Sequence, residues 1–161
     1  MDKLLELLKE NGRATPEQLA ETLGRSVDDI KQQIRQYEKN GIIQGYKTII
    51  NREQLPETSI PVVALVELTI SPQPDTGFEA VAGEIVKHPQ VTDCYLCSGD
   101  YDLLVRIESD EMRDISEFIA REMAPNPNIT GTVSHFLLKT YKEDRIRFDG
   151  EVTDPRLSIS P

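Results

Sequence analysis

Residues 15–41 read TPEQLAETLGRSVDDIKQQIRQYEKNG, and the punctuation in this stretch decides the fold around it. Thr15 offers an N-cap oxygen, Pro16 takes the first helical position, where a missing N–H costs nothing, and Gln18 stands where a capping-box partner reaches back. The short helix opened in this way carries Leu19, Ala20 and Leu23 and is broken at Gly24. Ser26 and Asp29 repeat the capping signature at once, starting a helix that continues to Asn40-Gly41. Two helices joined by so short a turn make a helix-turn-helix. Upstream, Leu4, Leu5, Leu7 and Leu8 predict an amphipathic helix ending near Asn11-Gly12. Downstream, residues 42–50 are β-rich around Gly45 and read as a wing hairpin.

The third helix carries the chemistry. At about 100° per residue, Val27, Ile30, Ile34 and Tyr37 share one face and Lys31, Gln32, Arg35, Gln36 and Lys39 share the opposite one. The apolar face docks, and the polar face is left to read. Arg, Lys and Gln are the side chains that reach base edges in the major groove or phosphates beside it. The composition alone fits an ordinary solvated face equally well; the short preceding helix, the Gly turn and the wing tip the reading towards double-stranded DNA. The expected contacts are Ser26, Asp28, Lys31, Gln32, Arg35 and Gln36 along the helix, with Lys39 and Lys47 near phosphates. Asp28 weakens phosphate attraction, and its carboxylate suits a cytosine amino group instead.

Charge supports looking there. The chain has 161 residues, 18 Lys plus Arg against 28 Asp plus Glu, and a net charge of −10. That length holds one domain or two small ones and excludes barrel-sized enzymes. An acidic total argues against indiscriminate binding to nucleic acid or membrane. Residues 1–50 hold 8 basic and 8 acidic residues, and the remainder 10 and 20, so a polyanion contact belongs in the neutral first part. No apolar run approaches the roughly 18 residues of a membrane span. The leucine run of residues 1–10 contains acids and lacks the basic start and cleavage site of an export signal. A cytoplasmic protein with no membrane partner is expected.

Residues 51–61, with Pro56, Glu57, Thr58, Ser59 and Pro61, interrupt both helical and strand patterns and read as a linker. Beyond it the chain repeats itself. Residues 78–92 align with 116–130 at an offset of 38: Val81 with Ile119, Ala82 with Ala120, Ile85 with Met123, Pro89 with Pro127, Val91 with Ile129 and Thr92 with Thr130. Each copy is an amphipathic helix, a Pro-containing turn and a strand, and strands at 62–70 and 103–108 precede the helices. The result is β-α-β-β-α-β, the ferredoxin-like split unit. Helices cover one face of such a sheet. Because Val63 and Leu65 alternate with Val62, Ala64, Val66, Leu68 and Ile70, the other face is expected to be apolar and covered by a second copy, making at least a homodimer.

The fold class is therefore α+β, with a winged helix-turn-helix domain at 1–50, a linker at 51–61, a βαββαβ domain at 62–143 and a tail at 144–161. The tail is acidic and turn-rich; Leu157 and Ile159 alternate like a short strand, which leaves exchange between subunits open. Cys94 and Cys97 form a C-x-x-C within a stretch that reads as a strand. Residues three apart there point to opposite faces, and no helix start lowers a thiol pKa, so the expectation is buried structural cysteines. No metal site, cofactor or catalytic constellation is expected.

Two motifs carry a resemblance. Asn40-Gly41-Ile42-Ile43-Gln44-Gly45-Tyr46 resembles the end of the reading helix and start of the wing in the Lrp/AsnC (feast/famine) transcriptional regulators. Ser98-Gly99-Asp100-Tyr101-Asp102-Leu103-Leu104 is similar to the loop between the middle strands of that family's effector (RAM-type) domain. The resemblance covers roughly residues 2–143. It implies DNA binding by the first half, dimers that assemble into octamers or similar rings through the second, and amino acids bound between subunits. The candidate effector residues are Ser98, Gly99, Asp100, Tyr101 and Asp102, with Thr132 and Ser134 of the last strand as neighbours. Amide N–H groups beside Gly99 suit a carboxylate, and Asp100 or Asp102 an ammonium. A tight hairpin using Gly and Asp for turn geometry fits the same residues.

Two other readings stand beside this one. One is a ligand-binding oligomer that does not bind DNA, for which Asp28 and Asp29 speak. The other is an enzyme similar to the sirohaem decarboxylases, which share the two-part architecture. Such a site needs basic or imidazole groups for propionates, and the only histidines are His88, beside a Pro at a helix end, and His135, within a strand. Surface or packing roles are expected for both, and no enzyme activity.

Overall fold

Helix α1, Lys3–Glu10, starts where the Asp2 carboxylate accepts the Leu4 N–H and ends at Asn11. Helix α2, Pro16–Leu23, opens on the complete Thr15/Gln18 capping box and closes at Gly24, whose φ of 63° lies in the left-handed region that favours glycine. Helix α3, Val27–Lys39, is capped by the Ser26 hydroxyl, which accepts the Asp29 N–H. Its expected reciprocal partner does not form: the Asp29 carboxylate accepts from the Arg25 guanidinium at 2.8 Å instead. Leu4, Leu8, Leu19, Ala20, Ile30 and Tyr37 are buried together, with Val27, Ile34 and Ile43 packed against them.

The computed structural model describes residues 2–56, 60–71 and 77–148, and the chain divides into two compact units, Met1–Ile50 and Asn51–Pro161. Residues 42–50, read as the wing hairpin, form no strand pairing among the described residues. The reason is local. The Ile42 and Ile43 amides both donate to the Tyr37 carbonyl, and the Gln44 amide turns back to the Gly41 carbonyl. Their hydrogen bonds are spent closing α3, and none goes to a returning strand.

In the second unit a 3₁₀ turn, Arg52–Gln54, precedes β1, Val62–Ile70. Helix α4, Gly77–Ile85, leads to β2, Val91–Leu96, and β3, Leu103–Ser109. Helix α5, Met112–Phe118, is extended by a π turn over Ile119–Met123 before β4, Ile129–Phe136. The sheet order is β2-β3-β1-β4, and every neighbouring pair is antiparallel. This is the βαββαβ sandwich expected from the repeat, and β2 and β4 begin at the two aligned positions, Val91 and Ile129. Ala64, Val66, Leu68, Leu103, Val105 and Ile107 meet Val81, Ile85, Ile115 and Met123 in one core between sheet and helices.

A short hairpin, β5 at Lys142–Glu143 and β6 at Ile146–Arg147, turns through Asp144 and Arg145, both at positive φ. It spans position 143, where the sequence reading ends the second domain. Leu157 and Ile159 lie outside the described residues.

Candidate nucleic-acid and effector sites

Three contacts hold α3 from behind. The Tyr37 hydroxyl donates to the Asp2 carboxylate at 2.5 Å, the Gln33 amide donates to the Tyr37 oxygen at 2.9 Å, and the Arg25 guanidinium bonds the Gln33 carbonyl oxygen at 2.9 Å. The start of α1, the turn before α3 and the length of α3 are thus one hydrogen-bonded chain. The Tyr37 hydroxyl, followed by the Leu4 amide, holds the Asp2 carboxyl below the usual aspartate range. Burial, reinforced by the Asp2 carboxylate, pushes the Tyr37 phenol up.

The opposite face is open. Gln32, Arg35, Gln36 and Lys39 are exposed and Lys31 is half-buried. Among the described residues Gln32 and Arg35 have no side-chain hydrogen bond or ion pair, while Gln36 donates to Asn40 at 3.0 Å. Ser26 and Asp28 are exposed at the start of the helix, and Lys47 is exposed beyond its end. The helix therefore brings Lys31, Gln32, Arg35, Gln36 and Lys39 onto one accessible strip. Ser26 is committed to its capping bond.

Sequence reasoning missed Glu17. Its carboxylate lies 3.6 Å from the Lys31 ammonium. The residue's own backbone N–H, then the Thr15 hydroxyl and Lys31, hold that carboxyl low. No local periodicity links positions in successive helices, so only the packing angle of α2 on α3 reveals the pair.

In the second unit the loop between β2 and β3 is pinned by Asp102. Its N–H donates to the Leu68 carbonyl, its carbonyl accepts from the Cys97 N–H, and its carboxylate accepts the Ile70 N–H at 2.7 Å. The turn function of Asp102 is thus real, and one carboxylate oxygen is already engaged. Ser98, Gly99 and Asp100 are exposed and make no hydrogen bond among the described residues. Gly99 has φ 150°, and a Cβ there would meet open space, so its freedom serves the backbone path rather than a close contact. Partial burial, with the Cys97 thiol beside it, pushes the Tyr101 phenol up.

Register relates this loop to β4. Leu68 pairs with Leu103 on one side and Thr132 on the other. Thr132 therefore lies at the loop's end of the sheet but two strand spacings away, roughly 9–10 Å. Ser134, opposite Val66, is farther along the strand. The structure brings 98–102 together and leaves Thr132 and Ser134 as exposed neighbours on the edge.

The uncovered sheet face departs from expectation. Val63 is 7% exposed, and Leu65 and Leu104 are half-buried, as an apolar face requires. Their rows are interleaved with charge, however. Leu65 sits between Arg106 and His135, and Glu67 between Leu104 and Val133. Arg106 pairs with Glu108 and lies 3.6 Å from Asp93, Arg52 reaches Glu108 at 2.7 Å, and His135 meets Glu67 at 3.1 Å. The face is mixed because alternation in β3 places Leu104, Arg106 and Glu108 on the same side. Cys94, half-buried against the core, has its thiol pushed up by burial; Cys97 is half-buried just past β2, so neither cysteine is fully buried as expected. His88 stacks edge-on against Phe118 with centroids 5.0 Å apart, a packing role.

Comparison with known proteins bears on both units. Residues 63–146 match the family described as the Lrp/AsnC ligand binding domain, and residues 3–44 match winged helix-turn-helix DNA-binding domains. The chain is 33% identical over 159 residues to the Bacillus subtilis HTH-type transcriptional regulator YugG, covering 99% of this chain and 95% of that one. It is 26% identical over 141 residues to the leucine-responsive regulatory protein of Haemophilus influenzae, covering 88% and 83%. Among solved structures, a transcriptional regulator of Neisseria meningitidis in complex with L-Met superposes with a TM-score of 0.68 at 26% identity, covering 89% and 93%. A feast or famine regulatory protein of Mycobacterium tuberculosis complexed with L-methionine gives 0.69 at 27%, with the same coverage.

Proposed function

The chain belongs to the Lrp/AsnC family of transcriptional regulators, and from that premise we propose that its α3 strip reads a specific DNA sequence while its second unit assembles copies and senses an amino acid. The observation that carries the first part is the exposed strip of α3, where Gln32 and Arg35 have no side-chain partner among the described residues while Tyr37 and Gln33 on the reverse are fixed. A rigid helix presenting uncommitted Arg and Gln is what major-groove readout requires. Lys31, Gln32, Arg35 and Gln36 face the groove, with Ser26 and Asp28 at its entry and Lys39 and Lys47 at phosphates. We assign DNA contact to residues 1–50, effector and assembly roles to 62–143, a linking role to 51–61, and leave 144–161 as a tail.

The unbonded amides at 98–100 suit the carboxylate of an amino acid, and Asp100 or the remaining oxygen of Asp102 its ammonium, with Tyr101, Thr132 and Ser134 nearby. L-Met in the two complexes above supports an amino acid as the ligand class. The mixed sheet face, through Val63, Leu65 and Leu104, is the dimer surface, and dimers build an octamer or similar ring. Several neutral reading heads on one assembly gain avidity that one lacks. Such a protein works in the cytoplasm, on genomic DNA, and not as an enzyme.

The test is a genomic binding selection with the full-length protein at moderate salt. It is expected to enrich a pseudo-palindromic sequence, and Arg35→Ala is expected to weaken binding to it by about 1–3 kcal/mol. Recovery of no enriched sequence, with Arg35→Ala behaving as the parent, would overturn the DNA reading.

A further inference from the structure

We propose that Glu17 is a built-in brake on DNA binding, holding Lys31 as an internal ion pair that must open before Lys31 meets the duplex. The inference rests on the reading of α3 as the DNA-contacting helix and adds a residue outside it that sets affinity.

The reading head carries no net charge. Its 8 basic residues are matched by 8 acidic ones, so its attraction to DNA depends on where the acids sit. Asp29 is tied to Arg25 at 2.8 Å, on the side of α3 that Gln33 and Tyr37 anchor. Glu17 is different. It stands in the first turn of α2, and its carboxylate reaches across to Lys31, 3.6 Å away. Among the described residues, Lys31 is the one cation of the α3 strip held by an acid from another helix.

The position matters because the first helix of a helix-turn-helix crosses the DNA backbone while the second enters the groove. An acid at the start of α2 that neutralises a lysine of α3 therefore occupies the ground where phosphates arrive. Its carboxylate presents an anion to the same ammonium that a phosphate would use. Binding then exchanges one ion pair for another, and the exposed Glu17 is left facing like charge. Both partners are substantially solvated, with side chains 44% and 63% exposed, so the pair opens readily. The brake lowers affinity per head without blocking the site. It leaves recognition to Arg35 and Gln32 and makes occupancy depend more steeply on having several heads engaged.

A double-mutant cycle on the full-length protein tests this, using the operator recovered above and fluorescence anisotropy at several salt concentrations. Glu17→Gln keeps the shape and the Thr15 cap, and is expected to tighten binding about three- to tenfold at low salt, less as salt rises. In a Lys31→Gln background the same change is expected to gain clearly less, because no ammonium remains to release and only the repulsion between Glu17 and phosphate is relieved. An equal gain in both backgrounds, or none in either, would overturn the brake while leaving the DNA reading standing. Absence of DNA binding by the parent and by Glu17→Gln alike would overturn both.

Discussion

Asp102 holds the loop between β2 and β3 through both its side chain and its backbone. Its carboxylate accepts the Ile70 amide at 2.7 Å, which joins the loop to the end of β1. Its backbone bonds to Leu68 and Cys97 close the loop itself. Removing the acceptor leaves a half-buried amide unpaired, so Asp102→Ala is expected to destabilise the protein by about 1–3 kcal/mol. Asp102→Asn keeps an acceptor oxygen and is expected to lose clearly less, as read by urea unfolding. The pair also separates structure from ligand binding. In a calorimetric screen of the twenty amino acids, a ligand whose ammonium uses Asp102 loses affinity in the Asn variant, whereas one bound elsewhere does not. Ser98, Gly99 and Asp100 are the complementary case, since their polar groups make no hydrogen bond among the described residues.

At the scale of elements, α3 shows how a short helix is made rigid. Propensity alone does not fix a helix of 13 residues; here Ile30 and Tyr37 are buried and the hydrogen-bonded chain from Asp2 to Arg25 crosses its back. This chain gives the first unit a pH signature. The Asp2 carboxyl is lowered, chiefly by the Tyr37 hydroxyl, so its stabilisation is present above the ordinary aspartate pKa and is lost as pH falls through the depressed one. The Tyr37 phenol is raised, chiefly by burial, so its contribution is present below the ordinary tyrosine pKa and is lost as pH rises through the raised one. Thermal melts of Tyr37→Phe against the parent are expected to show a lower Tm at neutral pH. The gap closes on the acid side, where Asp2 is protonated in both. A gap that persists unchanged to pH 2 would mean that packing, not this bond, sets the difference.

For the whole molecule, the mixed sheet face is the surface on which the proposed dimer rests. Val63 is buried and Leu65 and Leu104 are half-buried there, while Tyr95 and Val133 are 55% and 52% exposed in the row that holds Leu104. A second copy covering these rows removes the remaining apolar surface from water. The Arg106, Glu108 and Asp93 group gives the contact a register, because charges buried out of step are costly. Leu65→Glu puts an acid between Arg106 and His135 at the centre of the face. It is expected to weaken dimerisation by roughly 2 kcal/mol or more, seen as a shift towards monomer in sedimentation velocity. An unchanged sedimentation coefficient at micromolar concentration would place the dimer surface elsewhere.

The sequence by itself determined the three helices, the Thr15 and Ser26 caps, the polar strip of α3 and the β-α-β-β-α-β order. Each of these is written in neighbouring residues: Thr15 with Gln18, Gly24 at a turn, and a repeat that recurs at a fixed offset. The Ser98–Asp102 loop was legible as a motif for the same reason. Only the tertiary structure decided what crosses from one element to another. Asp2 meets Tyr37 across 35 positions, Asp102 meets Ile70 across 32 and His135 meets Glu67 across 68, while Glu17 faces Lys31 from a different helix. It also decided that the uncovered sheet face mixes charge with leucine and valine, and that Ile42 and Ile43 spend their amides on α3. The physical reason is that caps and periodicities act within one or two turns of chain. A side chain's partner across a packed interface depends on register and crossing angle, which no local pattern encodes.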